Sequence, residues 1–150
     1  MRALVQRVKE AAVRVDGSVV GSCGYGLLVL LGVTHDDTPE LAKRLADKLC
    51  RLRIFEDEQG KTNLSLTDVG GELLVVSQFT LYADCKRGLR PSFTQAAQAA
   101  PAEQLYEHFC SACKAHVAHV DQGSFGAMMD ISLIASGPFS LWLDTDELFS

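Results

Sequence analysis

The sequence predicts an α+β fold in which two main helices pack on a mostly antiparallel or mixed sheet. Most segments alternate apolar and polar residues with the two-residue period of strands, and two segments show the period of amphipathic helices. The chain has 150 residues, 47% of them hydrophobic. Because a chain of this length buries roughly 70% of its unfolded surface on folding, we expect a single domain over residues 1–150.

The N-terminal region alternates as strands do, in ALVQRV, AVRV and SVVG. Asp16-Gly17 separates the last two, and both residues accept a positive φ, so this dipeptide predicts a type I′ hairpin. The glycines of GSCGYG precede LLVLLGV, which has the pattern of a buried strand and not of a helix start. The context of a phosphate-binding loop is therefore missing, and a turn before a central strand is the better interpretation.

Two segments predict amphipathic helices. The first begins at Thr38-Pro39, with Thr38 as the N-cap and Pro39 at the first helical position. Its apolar face is formed by Leu41, Leu45, Leu49 and Leu52. The second begins near Pro101, and its apolar stripe is formed by Leu105, Phe109, Ala112 and Cys113. Both helices can pack on the sheet through these faces.

The second half of the chain adds further strands. Gly70-Gly71 precedes ELLVVSQFTLY, which we interpret as one strand. Another strand starts from Phe125, and one of its faces is formed by Met129, Ile131, Leu133 and Ala135. Gly137-Pro138 then interrupts the alternation, which continues in FSLWLD. Strands tolerate these two residues poorly, so the interruption needs an explanation.

The charge and the cysteines restrict the possible partners. The chain has 19 acidic against 14 basic residues and a formal net charge of −5, whereas a protein that wraps nucleic acid is normally basic. Any RNA contact is therefore expected to be small and local. The longest apolar run, LLVLL, is far shorter than the roughly 20 residues that span a bilayer, and the opening residues lack the apolar block of a signal peptide. We expect a soluble, cytoplasmic protein with no membrane contact, whose five cysteines are reduced.

The usual catalytic and metal-binding patterns are missing. Cys110 and Cys113 share a helix face and could contact one metal together with His116, but no second cysteine pair has a zinc spacing. We therefore expect no metal and no cofactor. The histidines at positions 35, 108, 116 and 119 do not accompany a serine in a G-x-S-x-G context, so surface or helix-face positions are their better interpretation.

Two stretches remain as candidate sites, SQFTLY (residues 77–82) and KRGLRPSF (residues 86–93). The cations Lys86, Arg87 and Arg90 form either a phosphate clamp or an ordinary charged loop, and the sequence favours neither. Strand alternation points Ser77 and Thr80 to opposite faces, which makes a catalytic dyad of the two awkward. Backbone N–H groups at a strand end can instead bind a carbonyl or an oxyanion.

Together SQFTLY, RGLRPSF, the Gly137-Pro138 element and the opening MRALVQRV resemble the D-aminoacyl-tRNA deacylases, in order and across essentially the whole chain. The resemblance implies a barrel-like subunit and an enzyme that hydrolyses the ester between a D-amino acid and the 3′-terminal adenosine of tRNA. It also implies a homodimer, in which each subunit inserts a cis Gly137-Pro138 into the active site of its partner. Such a main-chain element leaves room for hydrogen on the substrate α-carbon but not for an L side chain, so it does not exclude glycyl-tRNA.

The same resemblance assigns roles to the Ser-Gln-Phe-Thr motif. Ser77, Gln78, Phe79 and Thr80 are implied to contact the amino group, the carbonyl and the adenosine of the substrate, largely through main chain. Both Thr80 as a nucleophile and the terminal ribose 2′-OH as the activator of water are considered for the family. Because no side-chain base is in evidence to activate Thr80, we favour the 2′-OH.

Further roles follow from the resemblance. Arg7 matches an arginine that braces the Gly-Pro element, and Met129 matches a methionine that lines the pocket. The residues implied to hold the acceptor end of tRNA are Lys86, Arg87 and Arg90. The chain departs from the family pattern at Ala135-Ser136 and Phe139-Ser140. This departure puts the rejection of L-substrates in question more than it does the hydrolytic activity. The alternative function is a binding module that captures acceptor ends or small amino-acid derivatives without turnover.

Overall fold

The structure is built around one long N-terminal strand. A computed structural model describes residues 1–150. The strands are β1 (Arg2–Val15), β2 (Ser18–Cys23), β3 (Gly26–Gly32), β4 (Phe55–Glu56), β5 (Thr62–Leu64), β6 (Glu72–Ser77), β7 (Val120–Gln122) and β8 (Asp130–Asp144). The helices are α1 (Pro39–Arg51), α2 (Ala99–Cys113) and α3 (Thr145–Leu148), and a 3₁₀ helix covers Phe79–Tyr82. These elements confirm the predicted α+β class.

Six strands form a mixed, nearly closed sheet. Its order is β2-β1-β3-β6-β7, and β8 pairs antiparallel with β1, while β4 and β5 form a separate hairpin. β3 pairs in parallel with β6, and β6 with β7. Side chains connect the two outer strands, because Ser22 N donates to Asp121 Oδ2 (2.9 Å) and His119 Nε2 lies 2.8 Å from Ser22 O. This near closure gives the sheet a barrel-like shape.

The predicted N-terminal hairpin is confirmed. Asp16 and Gly17 have φ of 50° and 82°, and they connect β1 to β2. The interpretation of ALVQRV and AVRV as separate strands is wrong, because β1 runs through both segments without a break. β8 pairs with β1 over both segments, and its ladder supplies the backbone partners that keep the intervening residues extended.

Both main helices bury one face. Thr38 Oγ1 accepts a hydrogen bond from Leu41 N (3.1 Å), so the predicted N-cap is confirmed. The buried residues of α1 are Ala42, Leu45, Ala46, Leu49 and Cys50. α2 begins at Ala99, earlier than the predicted start near Pro101. Its buried residues are Leu105, Tyr106, Phe109, Cys110 and Cys113. The two helices share a core cluster of 24 buried residues with the sheet. None of the helices combines the length and the apolar character needed to cross a membrane.

Two predicted strand boundaries are wrong. The strand predicted over ELLVVSQFTLY ends at Ser77, and the 3₁₀ helix follows. The strand predicted from Phe125 begins only at Asp130, so Met129 precedes it. In both places the apolar alternation extends past the observed end of the strand, beyond Ser77 in β6 and before Asp130 in β8. The short helix α3 was not among the predicted elements.

β8 bulges at the Gly-Pro element. Ala135 pairs with Val8 and Ser140 pairs with Gln6, so residues 136–139 stand opposite a single residue of β1. We call residues 136–139 the tip. The ladder continues on both sides of the tip, which is why the apolar alternation resumes after the interruption.

Candidate active site

A pocket of about 620 Å³ opens at the carboxyl end of β6. Gln78 N still donates to Leu31 O of β3 (2.8 Å), and the chain then turns into the 3₁₀ helix. Gly32 makes this turn possible, because a Cβ there would lie 3.0 Å from Leu81 Cβ and 3.2 Å from Gln78 O. The turn therefore packs closely on β3 and ends the strand at the pocket.

Three of the four residues of the Ser-Gln-Phe-Thr motif line this pocket. Ser77, Gln78 and Phe79 are in its wall, whereas Thr80 is not. Strand alternation does not orient the other three residues, because only Ser77 belongs to the strand. The first hydrogen bond of the 3₁₀ turn is donated by Leu81 N to Gln78 O (3.3 Å). The N–H groups of Phe79 and Thr80 therefore have no partner within the turn.

Two aromatic rings stand together in the wall of the pocket. The rings of Phe79 and Phe93 pack edge to face, with centroids 5.1 Å apart and an interplanar angle of 73°. Both are well exposed, at 54% and 39%. An exposed aromatic pair beside a pocket offers a surface on which a planar group of a ligand can pack.

The remaining walls come from the start of α2 and from residues 125–129. Met129 lines the pocket, and it is close to Gly123, where a Cβ would lie 2.8 Å from the Met129 sulfur. Of the 18 lining residues 14 are hydrophobic, and none has a titratable side chain. The pocket therefore contains no group that could act as a general base. Sequence reasoning missed Gln98 and residues 125–128, because they reach the pocket by packing between distant segments, which leaves no local pattern.

The predicted cationic residues lie on a loop beside the pocket. Lys86, Arg87 and Arg90 are exposed, and none of them lines the pocket. We call residues 84–92 the basic loop. Its two ends are joined by hydrogen bonds from Asp84 N to Ser92 O (2.7 Å) and back (2.9 Å). The loop leaves the 3₁₀ helix and returns directly to Phe93, so both of its ends are attached to the pocket wall.

The tip packs on Arg7. Arg7 is buried, its Nε donates to Ser136 O (3.1 Å) and its Nη1 donates to Ile54 O (2.8 Å). Its guanidinium also lies 4.9 Å from the centre of the Phe139 ring. The Gly137-Pro138 peptide bond is cis, and Gly137 has a φ of 120°. A Cβ at Gly137 would lie 2.9 Å from Arg7 Nη2, and an L side chain is strained at this φ, so glycine is strongly favoured at this position.

The serines at the departures from the family pattern are also tied to β1. The Ser140 hydroxyl donates to Gln6 Oε1 (2.9 Å), and the Ser136 carbonyl is the one that accepts from Arg7. The tip is therefore attached to β1 on both of its sides by hydrogen bonds of this chain's own residues.

The tip and the pocket are separate in one chain. Gly137-Pro138 does not line the pocket, and both residues are exposed. Arg7 pairs with Leu27 on β3, whereas Ser77 at the pocket pairs with Leu31, four residues further along the same strand. Four strand residues span about 13 Å. The tip of a chain therefore lies outside the pocket of that chain.

The cysteine and histidine candidates do not come together. Cys110 and Cys113 are buried, and burial raises the pKa of Cys110 to about 12. The adjoining Cys50 thiol, together with burial, raises the pKa of Cys113. His116 Nε2 lies 2.7 Å from Asp47 Oδ1, so this histidine is turned toward α1. No group of three or more histidine, cysteine, aspartate or glutamate side chains is arranged to hold a metal ion.

Comparison with known proteins identifies the family. The family model described as D-Tyr-tRNA(Tyr) deacylase matches residues 4–144. A D-aminoacyl-tRNA deacylase of Thermosipho africanus is 54% identical over 149 residues, which are 99% of this chain and 100% of that protein. One of Chloroflexus aurantiacus is 56% identical over 99% of this chain and 92% of its own length. The solved structure of a c-Myc DNA unwinding element binding protein is similar with a TM-score of 0.90 and 36% identity, over 96% of this chain and 98% of that one. The chain therefore belongs to the D-Tyr-tRNA(Tyr) deacylase family.

Proposed function

We propose that this protein hydrolyses the ester between a D-amino acid and the 3′-terminal adenosine of tRNA, and so removes D-amino acids from tRNA in the cytoplasm. Water adds across the ester bond, and the products are the free D-amino acid and the tRNA. The observation that carries this proposal is the pocket at Ser77-Gln78-Phe79, in a chain that matches the deacylase family over residues 4–144. A volume of about 620 Å³ is in the range of pockets that hold a small ligand such as an aminoacyl-adenosine.

The neutral lining of the pocket supports hydrolysis assisted by the substrate. A threonine nucleophile needs an adjacent base, and the pocket has no titratable side chain, while Thr80 is outside its wall. The 2′-OH of the terminal ribose is adjacent to the ester and can polarise the attacking water. Main-chain N–H groups of the Ser-Gln-Phe-Thr motif then stabilise the charge that develops on the ester carbonyl oxygen.

The separation of tip and pocket supports a homodimer in which each tip enters the pocket of the other subunit. Gly137-Pro138 of the tip is exposed and the tip is held by Arg7, so it can reach a second copy without a change in its own chain. Its carbonyl oxygens would lie against the substrate α-carbon, where hydrogen fits and an L side chain does not. Glycine has hydrogen at both positions, so glycyl-tRNA is hydrolysed as well.

The basic loop supports a small contact with the acceptor end. Lys86, Arg87 and Arg90 stand next to the pocket wall and are free to meet phosphate groups of the terminal nucleotides. A 3′ end has few phosphates, so three cations are sufficient in a chain of net charge −5.

The test is a turnover assay with D-tyrosyl-tRNA, with L-tyrosyl-tRNA as the matched control. We expect many D-tyrosine molecules released per enzyme, and release from the L-ester close to the rate without enzyme. The absence of a side-chain base also favours a second candidate, which is a module that binds acceptor ends without turnover. Saturable binding of D-tyrosyl-tRNA without accelerated release would establish that second candidate and overturn the first.

A further inference from the structure

The outward face of α1 has an unusual concentration of positive charge. Arg44, Lys48 and Arg51 are four and three residues apart, so they share one face of the helix. With Lys43 and Arg53 they make five of the 14 basic residues of an acidic chain. The ion pairs of the chain are formed by other cations, so these three charges have no carboxylate partner. We call Arg44, Lys48 and Arg51 the α1 stripe.

The α1 stripe lines a shallow groove of about 450 Å³. The guanidinium of Arg44 stacks on the ring of Phe149, 4.1 Å from its centre, which holds this side chain in place. Asp47 is the single carboxylate in the wall of the groove, and His116 Nε2 lies 2.7 Å from its Oδ1. The groove therefore presents a positively charged surface in which Arg44 is held in place.

We propose that the α1 stripe binds phosphate groups of the tRNA body, beyond the acceptor end that enters the pocket. This inference rests on the proposed function, since tRNA is the partner that the pocket selects. From Arg44 to Arg51 the stripe is about 10 Å long, so it can meet successive phosphates of one strand. Arginine is suited to this contact, because its planar fork matches the oxygens of a phosphate.

The position of the stripe fits a tRNA bound in the pocket of the other subunit. Arg51 ends α1, and the chain reaches Ile54 three residues later. Arg7 donates to the carbonyls of both Ile54 and Ser136, so one guanidinium connects the segment after the helix with the tip. In the proposed homodimer, a tip that enters the partner's pocket would bring Ile54 toward that pocket, and the stripe ends three residues before Ile54.

A purely structural role of these cations makes a different prediction. Lys48 and Arg51 are in the last turn of α1, where positive charge stabilises the helix through its dipole. A structural role predicts that charge reversal lowers stability and leaves the affinity for tRNA unchanged. Contact with phosphates predicts that charge reversal lowers the affinity for tRNA, and that the difference in affinity between the variant and the wild type becomes smaller as the salt concentration rises.

The test compares two double charge reversals with the same change in net charge. Lys48→Glu/Arg51→Glu alters the stripe. Lys61→Glu/Lys114→Glu is the control, since both residues are exposed and lie outside the groove. Lys114 follows the end of α2, so the control also includes the loss of a cation at the end of a helix. A third variant, Lys48→Arg/Arg51→Lys, keeps the charge. Each is assayed on D-tyrosyl-tRNA and on the D-tyrosyl ester of the trinucleotide CCA, and thermal unfolding confirms that all of them fold.

For the stripe variant we expect KM for D-tyrosyl-tRNA to rise about tenfold, with kcat unchanged. The dependence of log KM on log salt should become shallower by about 1.5. Kinetics on the trinucleotide ester should not change, and neither the control nor the charge-keeping variant should differ from the wild type on either substrate. An equal rise of KM on both substrates, or an equal rise in the control, would overturn the proposal.

Binding of uncharged tRNA separates this inference from the proposed function. A wild type that hydrolyses neither ester refutes the deacylase proposal, yet a loss of tRNA binding confined to the stripe variant still supports the stripe. Unchanged tRNA binding in the stripe variant refutes the stripe whatever the activity. Duplex DNA with the same number of phosphates serves as competitor, and a wild type that binds this DNA as tightly as it binds tRNA would refute the assignment to tRNA.

Discussion

Replacing Arg7 by lysine tests whether its forked side chain holds the tip. The guanidinium joins two carbonyls from different segments, Ser136 O at 3.1 Å and Ile54 O at 2.8 Å, and it also packs on the Phe139 ring at 4.9 Å. Lysine keeps the positive charge but has one nitrogen, so it can replace only one of the two bonds well. The variant therefore isolates the geometry of the contact from its charge.

The expected loss follows from these contacts. A hydrogen bond to a charged group contributes about 1.5–3 kcal/mol, and contact of the cation with the ring adds about 0.5–1 kcal/mol. The ion pair with Glu56 is long, at 3.7 Å, and the carboxylate is exposed, so it adds little. Arg7→Lys should therefore lower the free energy of unfolding by about 2–4 kcal/mol, which is a fall in Tm of about 4–16 °C.

The assay is urea unfolding at a fixed protein concentration, together with deacylation of D- and L-tyrosyl-tRNA. Because the tip loses its anchor, we expect the rate on the L-ester to rise relative to the rate on the D-ester. Arg14→Lys is the matched control, since Arg14 makes one exposed bond to Ser132 Oγ (3.0 Å) and should change stability by less than about 0.5 kcal/mol. If Arg7→Lys is as stable as Arg14→Lys, or if the D to L ratio does not change, the reasoning about the tip is wrong.

Four further predictions concern the pocket, the tip and the cysteines. Thr80→Ala should keep most of its deacylase activity, whereas a substrate with a 2′-deoxy terminal adenosine should react at least about 100-fold more slowly. Near-complete loss of activity in Thr80→Ala would favour Thr80 as the nucleophile instead of the 2′-OH. Gly137 has a φ of 120°, and a Cβ there would lie 2.9 Å from a guanidinium nitrogen of Arg7. Gly137→Ala should therefore lower the free energy of unfolding by about 1–3 kcal/mol, measured by urea unfolding, and lower the deacylation rate on the D-ester. A thiol reagent should modify Cys85 alone in the native protein, because the other cysteines are buried. Burial raises the pKa of Cys23 to about 11 and of Cys110 to about 12. Between pH of about 9 and these values only the unfolded state loses the thiol protons, so the free energy of unfolding should fall as pH rises above about 9. Unfolding measured at several pH values tests this.

The elements predicted correctly are those that depend on a few neighbouring residues. Asp16-Gly17 accepts the positive φ that a hairpin needs, and Thr38 caps the helix that follows it. Such preferences depend on residues within one turn of each other, so they can be recognised in a single sequence. The location of the candidate site was predicted for a different reason, because SQFTLY and Gly137-Pro138 are among the motifs through which the chain resembles a known family.

The elements predicted wrongly depend on contacts between distant segments. Nothing in FTLY itself ends the strand at Ser77; the turn depends on Gly32, which leaves room for Leu81 to approach β3. The separation of tip and pocket, which was expected from the family resemblance alone, also depends on the register of β1 and β6 on β3. Residue identity thus indicated which segments matter, and packing determined where they lie.

Under the proposed mechanism, the distribution of charge also determines which esters can react. The pocket has no ionisable side chain, and the cations of the basic loop and of the α1 stripe lie outside it. A carboxylate base in the pocket would repel the nearby phosphates, so a neutral lining suits a chain of net charge −5 that acts on RNA. The group that activates water must then come from the substrate. An amino-acid ester of a simple alcohol lacks the ribose hydroxyl, so under this mechanism the absence of a protein base would restrict hydrolysis to esters of RNA.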